Sequence, residues 1–198
     1  MTELKERISA FAEEHGKEYQ EKFDKLILSP GAQPIIPPLV GIKSERIFTL
    51  RNVSDTDRIK LQAVTQFNQL KEVVVIGAGF IGLEMVENLH ALGYHITVIE
   101  KARQVMPNVD SSIAAAVQKE LKNHNVTLLL NHEVKSFETE ADRIRIDVGK
   151  VQKIEADFVI LSIGVKANTK LAEAAGLAIG QHGIQVNEYL QTSNSDIY

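Results

Sequence analysis

The sequence predicts an α/β fold, a parallel sheet with flanking helices and an antiparallel β-meander, from three observations. The near-continuous β-branched run Glu72–Ile76 (EVVVI) has the composition of a parallel strand buried on both faces. It is followed by Gly82, Met85, Val86 and Leu89 at helical spacing and then by a second apolar run, His95–Ile99, which completes strand, helix and strand within about thirty residues. The alternation then repeats: Asp110 can cap a helix whose Ile113, Val117 and Leu121 share a face, and Val126–Leu130 reads as a third strand.

The remaining elements follow in order. Ile8–Phe23 reads either as a hairpin turning at 15–17 or as part of one charged helix over Leu4–Lys25, because periodicity does not decide between them; the hairpin is the reading taken. Lys25–Ser29 (KLILS) is a short apolar strand. Ser29–Ile42 holds four of the five prolines and is expected to be an irregular connector, since proline withdraws an N–H and fixes φ. Ser54 and Asp57 resemble a capping box opening a helix with Ile59, Ala63, Phe67 and Leu70 on one face. Gly93 stands where the helix after Gly79 needs a left-handed cap. Val134–Phe137, Arg143–Val148 and Val151–Ile154 alternate as an antiparallel meander, and Asp157–Ile163 is a further buried strand ending at Gly164.

Composition narrows the function. The 198 residues, 44% hydrophobic and 24% charged, suit a globular protein with a real core. No stretch approaches the roughly 18 apolar residues of a membrane span, and MTELKERISA lacks the apolar centre of a signal peptide, so a cytoplasmic location and no membrane partner are expected. The net charge of -4 without a long basic run gives no footprint for nucleic acid. The absence of cysteine removes a disulfide framework and a thiol nucleophile. Histidines 15, 90, 95, 124, 132 and 182 show no metal-ligand spacing, so no metal site is expected.

The chemistry lies in Gly77-Ala78-Gly79-Phe80-Ile81-Gly82, a GxGxxG between a buried strand and a helix. Gly77 permits the turn out of the strand, Gly79 lets a pyrophosphate approach the backbone, and Gly82 lets the helix pack close to the sheet. The anion then meets the unpaired N–H groups and positive dipole end of the helix. In this context the parallel sheet is Rossmann-type, and the expected partner is a dinucleotide. Glu100 ends the second strand eighteen residues past Gly82, where a carboxylate accepts hydrogen bonds from both adenine-ribose hydroxyls and repels a 2′-phosphate. At about 4 Å and an effective dielectric of about 20 that repulsion is on the order of 4 kcal/mol, so NAD(H) is expected over NADP(H). Lys101 and Arg103 oppose this, because either could swing in to accept a phosphate. Phe80 and Glu84 lie one helical turn apart, opposite Met85 and Val86; spacing alone reads them equally well as an interface residue and an acid favoured by the helix dipole.

The runs VVVIGAGFIGLEMVENLHALGYHITVIEKARQVMP, YQEKFDKLILSPGAQPIIPPL, DFVILSIGVKANT and IQVNEYLQTSNSDIY resemble the pyridine nucleotide-disulfide oxidoreductase family, within it the branch of NADH oxidases, NADH peroxidases and coenzyme A-disulfide reductases, over nearly the whole chain from Glu18. The resemblance implies an NAD(H)-binding Rossmann domain over 49–165, inserted into an FAD domain of which 1–48 and 166–198 are remnants. It implies that Gly77, Ala78, Gly79, Phe80, Ile81, Gly82 and Glu84 hold the pyrophosphate and nicotinamide ribose, that Glu100 holds the adenine ribose and that Val134 meets the adenine through its backbone. Gly164 would lie beside the nicotinamide, Phe80 against the flavin face and Glu84 near the nicotinamide. The whole protein would pass a hydride from NADH to FAD and electrons on to a disulfide, peroxide or oxygen, as a homodimer.

The chain departs from that pattern. A full member opens with its own GxGxxG for FAD and a redox cysteine, and continues into an AxGD segment and a dimerisation domain; none is present in this sequence. The chain is therefore expected to be a fragment without FAD, with no residue serving as acid, base or nucleophile in the second half-reaction. A stand-alone NAD(H)-sensing module and the NAD domain of a flavin-dependent ferredoxin or rubredoxin reductase are the alternatives, and an exposed apolar surface over Lys25–Pro38 is expected of either an enzyme fragment or a module.

Overall fold

A β-branched strand is buried on both faces only where two different layers cover it, and this chain supplies both. The computed structural model describes residues 22–65, 71–140, 142–149 and 153–198. In chain order the elements are β1 (Ala32–Pro34), β2 (Ile47–Phe48), α1 (Val53–Thr65), β3 (Glu72–Ile76), α2 (Phe80–Ala91), β4 (His95–Glu100), α3 (Ser111–Asn123), β5 (Thr127–Leu130), β6 (Ser136–Glu140), β7 (Arg143–Asp147), β8 (Ile154–Ala156), β9 (Phe158–Leu161), β10 (Val165–Ala167), α4 (Lys170–Ala174), β11 (Ile179–Gly180) and β12 (Gly183–Ile184). The chain divides into two compact units, one of Met1–Gln33 with Val165–Tyr198 and the other of Pro34–Gly164.

In the larger unit the sheet order is β2-β9-β3-β4-β5, every neighbouring pair parallel. Alternation along β3 assigns its faces. Val73 and Val75 join Val86 and Leu89 of α2, Ile59 and Ala63 of α1 and Ala114 of α3 in one core. Val74 and Ile76 point the other way, into Phe137, Ile144 and Ile146 of the antiparallel meander β6-β7-β8. The predicted α/β architecture is thus present, with its helices on one face and the meander on the other. Fully burying a valine or isoleucine is worth about 1.5–3 kcal/mol, so a one-residue slip of β3 would exchange the two faces and lose the fit on both.

Several local expectations shift. Helix α1 starts earlier than Ser54: Asn52 Oδ1 accepts the Asp55 N–H at 2.9 Å, and Asp55 Oδ2 accepts those of Arg51 and Asn52 at 2.9 and 3.3 Å. Reciprocal capping by Asn52 and Asp55 satisfies the first-turn amides, so Ser54 and Asp57 lie inside the helix. Asp110 does cap α3, accepting the Ser112 N–H at 2.8 Å, but Ala114 is buried and Ile113 is 53% exposed. Gly93 ends α2 with φ +82°, its N–H on His90 O and that of Tyr94 on Leu89 O. The meander begins at Ser136, two residues after Val134, and its third strand is Ile154–Ala156. Phe67, Leu70 and Val151 lie outside the described residues.

The sequence reading did not anticipate β2. Its two residues pair with β9, and Phe48 meets Phe158 edge-to-face at 5.7 Å between ring centres. Leu39, Ile42 and Ile47 also pack against the meander core, so this compact unit takes in 34–48 as well.

In the smaller unit Lys25–Ser29 is not a strand. Leu26 forms a single parallel bridge with Ile197, with Leu26 N–H on Asp196 O and Tyr198 N–H on Leu26 O. The connector after Ser29 is irregular except for β1, which pairs with β10, and a single parallel bridge of Val40 with Ser136. Ala172, Ala175, Leu177 and Ile197 form the small core of this unit. The N-terminal hairpin and its helical alternative fall on residues outside those described, apart from 22–25, which form neither.

Candidate functional site

The glycine loop leaves β3 at the C-terminal edge of the parallel sheet, where the topology reverses. From β3 the chain steps outward to β4 and β5 on one side and then returns through β9 on the other. In open α/β sheets that reversal opens a crevice beyond the strand ends. Hydrogen bonds tie the loop down on both sides. Toward β4, Gly77 N–H donates to Ile99 O at 2.8 Å, Ala78 N–H to Glu100 Oε2 at 2.8 Å, and Met106 N–H to Ala78 O at 2.8 Å. Toward β9, the Ser162 hydroxyl lies 3.0 Å from both Ile76 O and Gly77 O, and Ser162 N–H donates to Ile76 O.

The three glycines play different parts. Gly77 has φ +98°, and a Cβ there would collide with Ser162 O. A Cβ at Gly82 would collide with Gly77 O and come within 2.7 Å of Ser162 Oγ. Gly79 is otherwise: its backbone is extended, at φ -80° and ψ -174°, and a Cβ would meet nothing within 4 Å. Two glycines are required by packing; the third faces open space.

Helix α2 starts at that open space. Gly79 is its N-cap, without a side-chain cap, and Leu83 donates the first helical bond, to Gly79 O. The preceding amides of Gly79, Phe80, Ile81 and Gly82 have no intrahelical acceptor. They present donors and the positive end of the helix dipole to an anion. The Ala78 amide does not share this task, because the Glu100 carboxylate holds it.

Glu100 is half-buried, and its other oxygen accepts the Ala102 N–H at 2.7 Å. The two amides fix its orientation, and each carboxylate oxygen keeps a lone pair for a further donor. Lys101 points to the next loop: its ammonium is 2.7 Å from Glu133 Oε1, while Glu133 Oε2 is 2.6 Å from Lys135 Nζ. That loop is held to the end of β4 by His132 N–H on Glu100 O and Asn131 N–H on Ala102 O, both 3.0 Å. Val134 follows, its side chain buried in the meander core. On α2, Phe80 is 59% exposed and Glu84 is exposed one turn on, while Val86 is buried and Met85 packs against the core. Gly164, two residues past Ser162, is exposed with φ +115° and accepts the Ile35 N–H at 3.0 Å.

Gly77–Gly82 and Glu100 are thus joined by direct hydrogen bonds, and Ser162 ties the start of the Gly164 segment to the loop. The sequence reading missed Ser162 and Glu133. Ser162 directly follows β9 and Glu133 lies in the loop after β5, and loop positions at the C-terminal edge of a parallel sheet are the signal that could have found them. Ser162→Ala leaves Gly77 O without the hydroxyl, at a cost of about 1 kcal/mol. A melting temperature lower by roughly 2–4 °C is expected in thermal denaturation.

A cavity of about 450 Å³ lies elsewhere, in the smaller unit, lined by Pro30, Gly31, Asn168, His182 and Gln185 among others. No carboxylate or helix start lines it.

This arrangement defines an α/β unit of the Rossmann class with an anion-receptive loop at its switch point. The chain matches the family model for pyridine nucleotide-disulphide oxidoreductase over residues 2–198 and belongs to that family. It is 37% identical over 186 residues to an NADH oxidase of Methanocaldococcus jannaschii, covering 92% of this chain and 40% of that protein. The solved structure of reduced CoADR-RHD from Bacillus anthracis is 46% identical, with a TM-score of 0.82 over 92% of this chain and 32% of that one. The water-forming NADH oxidase of Lactobacillus brevis, solved bound to NADH, is 31% identical, with a TM-score of 0.82 over 93% of this chain and 40% of that one. The chain spans about 40% of the length of the curated relatives it matches, NADH oxidases and coenzyme A disulfide reductases. Among the described residues no helix is long and apolar enough to cross a membrane.

Proposed function

We propose that this chain binds NAD(H), in preference to NADP(H), as the nucleotide-binding part of a cytoplasmic FAD-dependent oxidoreductase of its family. In the whole protein a hydride would pass from NADH to FAD, and electrons on to a disulfide, peroxide or oxygen; the chain by itself would bind without turning over. The observation that carries this reading is the contrast among the glycines. A merely structural GxGxxG needs Gly77 and Gly82 for packing, but packing gives no reason for a missing side chain at Gly79, which borders empty space beside uncapped amides.

In this reading the amides at Gly79–Gly82 receive the diphosphate, and the oriented Glu100 carboxylate accepts the adenine-ribose hydroxyls. The Val134 backbone borders the adenine, and Glu84 and Gly164 lie on the nicotinamide side. Exposed Phe80, together with exposed Ile35, Ile36 and Ile163 in the same unit, supplies an apolar surface for the flavin side. NAD(H) supplies the hydride chemistry when bound; the protein's part is orientation and exclusion of water.

Calorimetric titration with NADH and NADPH tests this. Weak NADH binding is expected, with NADPH at least about tenfold weaker, or 1.4 kcal/mol. NADPH binding as tight as NADH would sink the argument from Glu100. Binding of neither would sink the dinucleotide reading itself.

A further inference from the structure

We propose that Glu133 is a second determinant of dinucleotide choice, acting by holding the Lys101 ammonium away from the 2′-position of the adenine ribose. The inference rests on the NAD(H) reading above and concerns the same site. Lys101 follows Glu100 directly, which makes it the nearest cation in sequence to the carboxylate that would meet the ribose. For a 2′-phosphate to be tolerated there, a cation must replace the repulsion with attraction. Lys101 has the reach for this, and in the structure it is engaged elsewhere.

The engagement is specific in geometry. One Glu133 oxygen takes Lys101 at 2.7 Å and the other takes Lys135 at 2.6 Å. The loop that carries Glu133 is fastened to the strand that carries Glu100 by His132 N–H on Glu100 O. Hydrogen bonding to Lys101 and then Lys135 holds the Glu133 carboxyl down at about 2, so it is charged throughout the neutral range. The same contact holds the Lys101 ammonium above its usual range. The side chains are exposed, and an exposed pair is worth little to folding. Its effect is better sought in which partner Lys101 selects.

The test is the ratio of NADPH to NADH dissociation constants for the 198-residue chain and its variants, measured by calorimetry or by displacement. Glu133→Gln keeps the shape and removes the charge. The ratio is expected to fall about fivefold, with NADH affinity changed by less than about twofold. Adding Lys101→Met to Glu133→Gln is expected to return the ratio to the starting value. An unchanged ratio in Glu133→Gln overturns the proposal, as does equal tightening of both dinucleotides, which would report a general change of charge. A ratio that stays lowered after Lys101→Met also overturns it, because Lys101 would then not be the responding group. Since the readout is a ratio within one variant, a modest loss of stability cancels. A starting chain that binds neither dinucleotide refutes the underlying NAD(H) reading instead, and the two failures are distinct.

Discussion

Replacing Gly79 with valine is expected to leave the protein folded and to abolish NADH binding. The backbone there is extended, at φ -80° and ψ -174°, a conformation open to any residue, and nothing lies within 4 Å of the new Cβ. Valine is a poorer helix cap than glycine, so stability should fall by no more than about 1 kcal/mol. The side chain would stand in front of the amides that lack an intrahelical acceptor. A hydrogen bond to a charged group is worth about 1.5–3 kcal/mol. Losing two of them weakens binding by about 4 kcal/mol, roughly a thousandfold. Thermal denaturation and calorimetric titration on the same sample check both halves. Unaltered NADH affinity in Gly79→Val would show that the diphosphate does not lie there, and a large fall in melting temperature would show that Gly79 is needed for packing after all.

Replacing Gly82 with alanine should act in the opposite order. The added Cβ would overlap the carbonyl of Gly77 and press on Ser162 Oγ at 2.7 Å, and neither is the free end of a flexible side chain. Helix α2 or the loop must move. Overpacking of this kind costs about 3 kcal/mol, toward the upper end of its usual range. A melting temperature lower by roughly 10 °C is expected, with NADH binding lost because the loop amides no longer aim together. A Gly82→Ala variant as stable as the original would mean that the approach of helix to strand is less tight than the structure shows. Together the two substitutions separate a glycine kept for a ligand from one kept for the fold, within a single six-residue motif.

Much of the site was legible because a parallel strand buried on two faces leaves a strong signal. The EVVVI run, the helical spacing after Gly79 and the acid at the end of the next strand are local features, and local spacing places all three at one sheet edge. Other features were not local. Asn52, not Ser54, caps α1, because both residues suit the role and the choice depends on where the incoming chain is already held. Ile113 was assigned to the buried face of α3 and Ala114 is found there, since a 3.6-residue period cannot resolve a one-residue rotation when both neighbours are apolar. Strand β2 has two residues and no periodicity at all; the partner β9 defines it.

From the sequence alone came the order of strands and helices from α1 to β9, the Rossmann-type loop and the family resemblance, because these depend on contacts between near neighbours and on residue types that no other local structure requires. Tertiary structure decided which glycine faces open space, that Glu100 already holds the Ala78 amide, and that Lys101 turns to Glu133. Those are matters of which groups meet across loops 22 to 85 positions apart. Spacing along a chain carries no information about them, since the path between two strand ends sets the distance only after the sheet has closed.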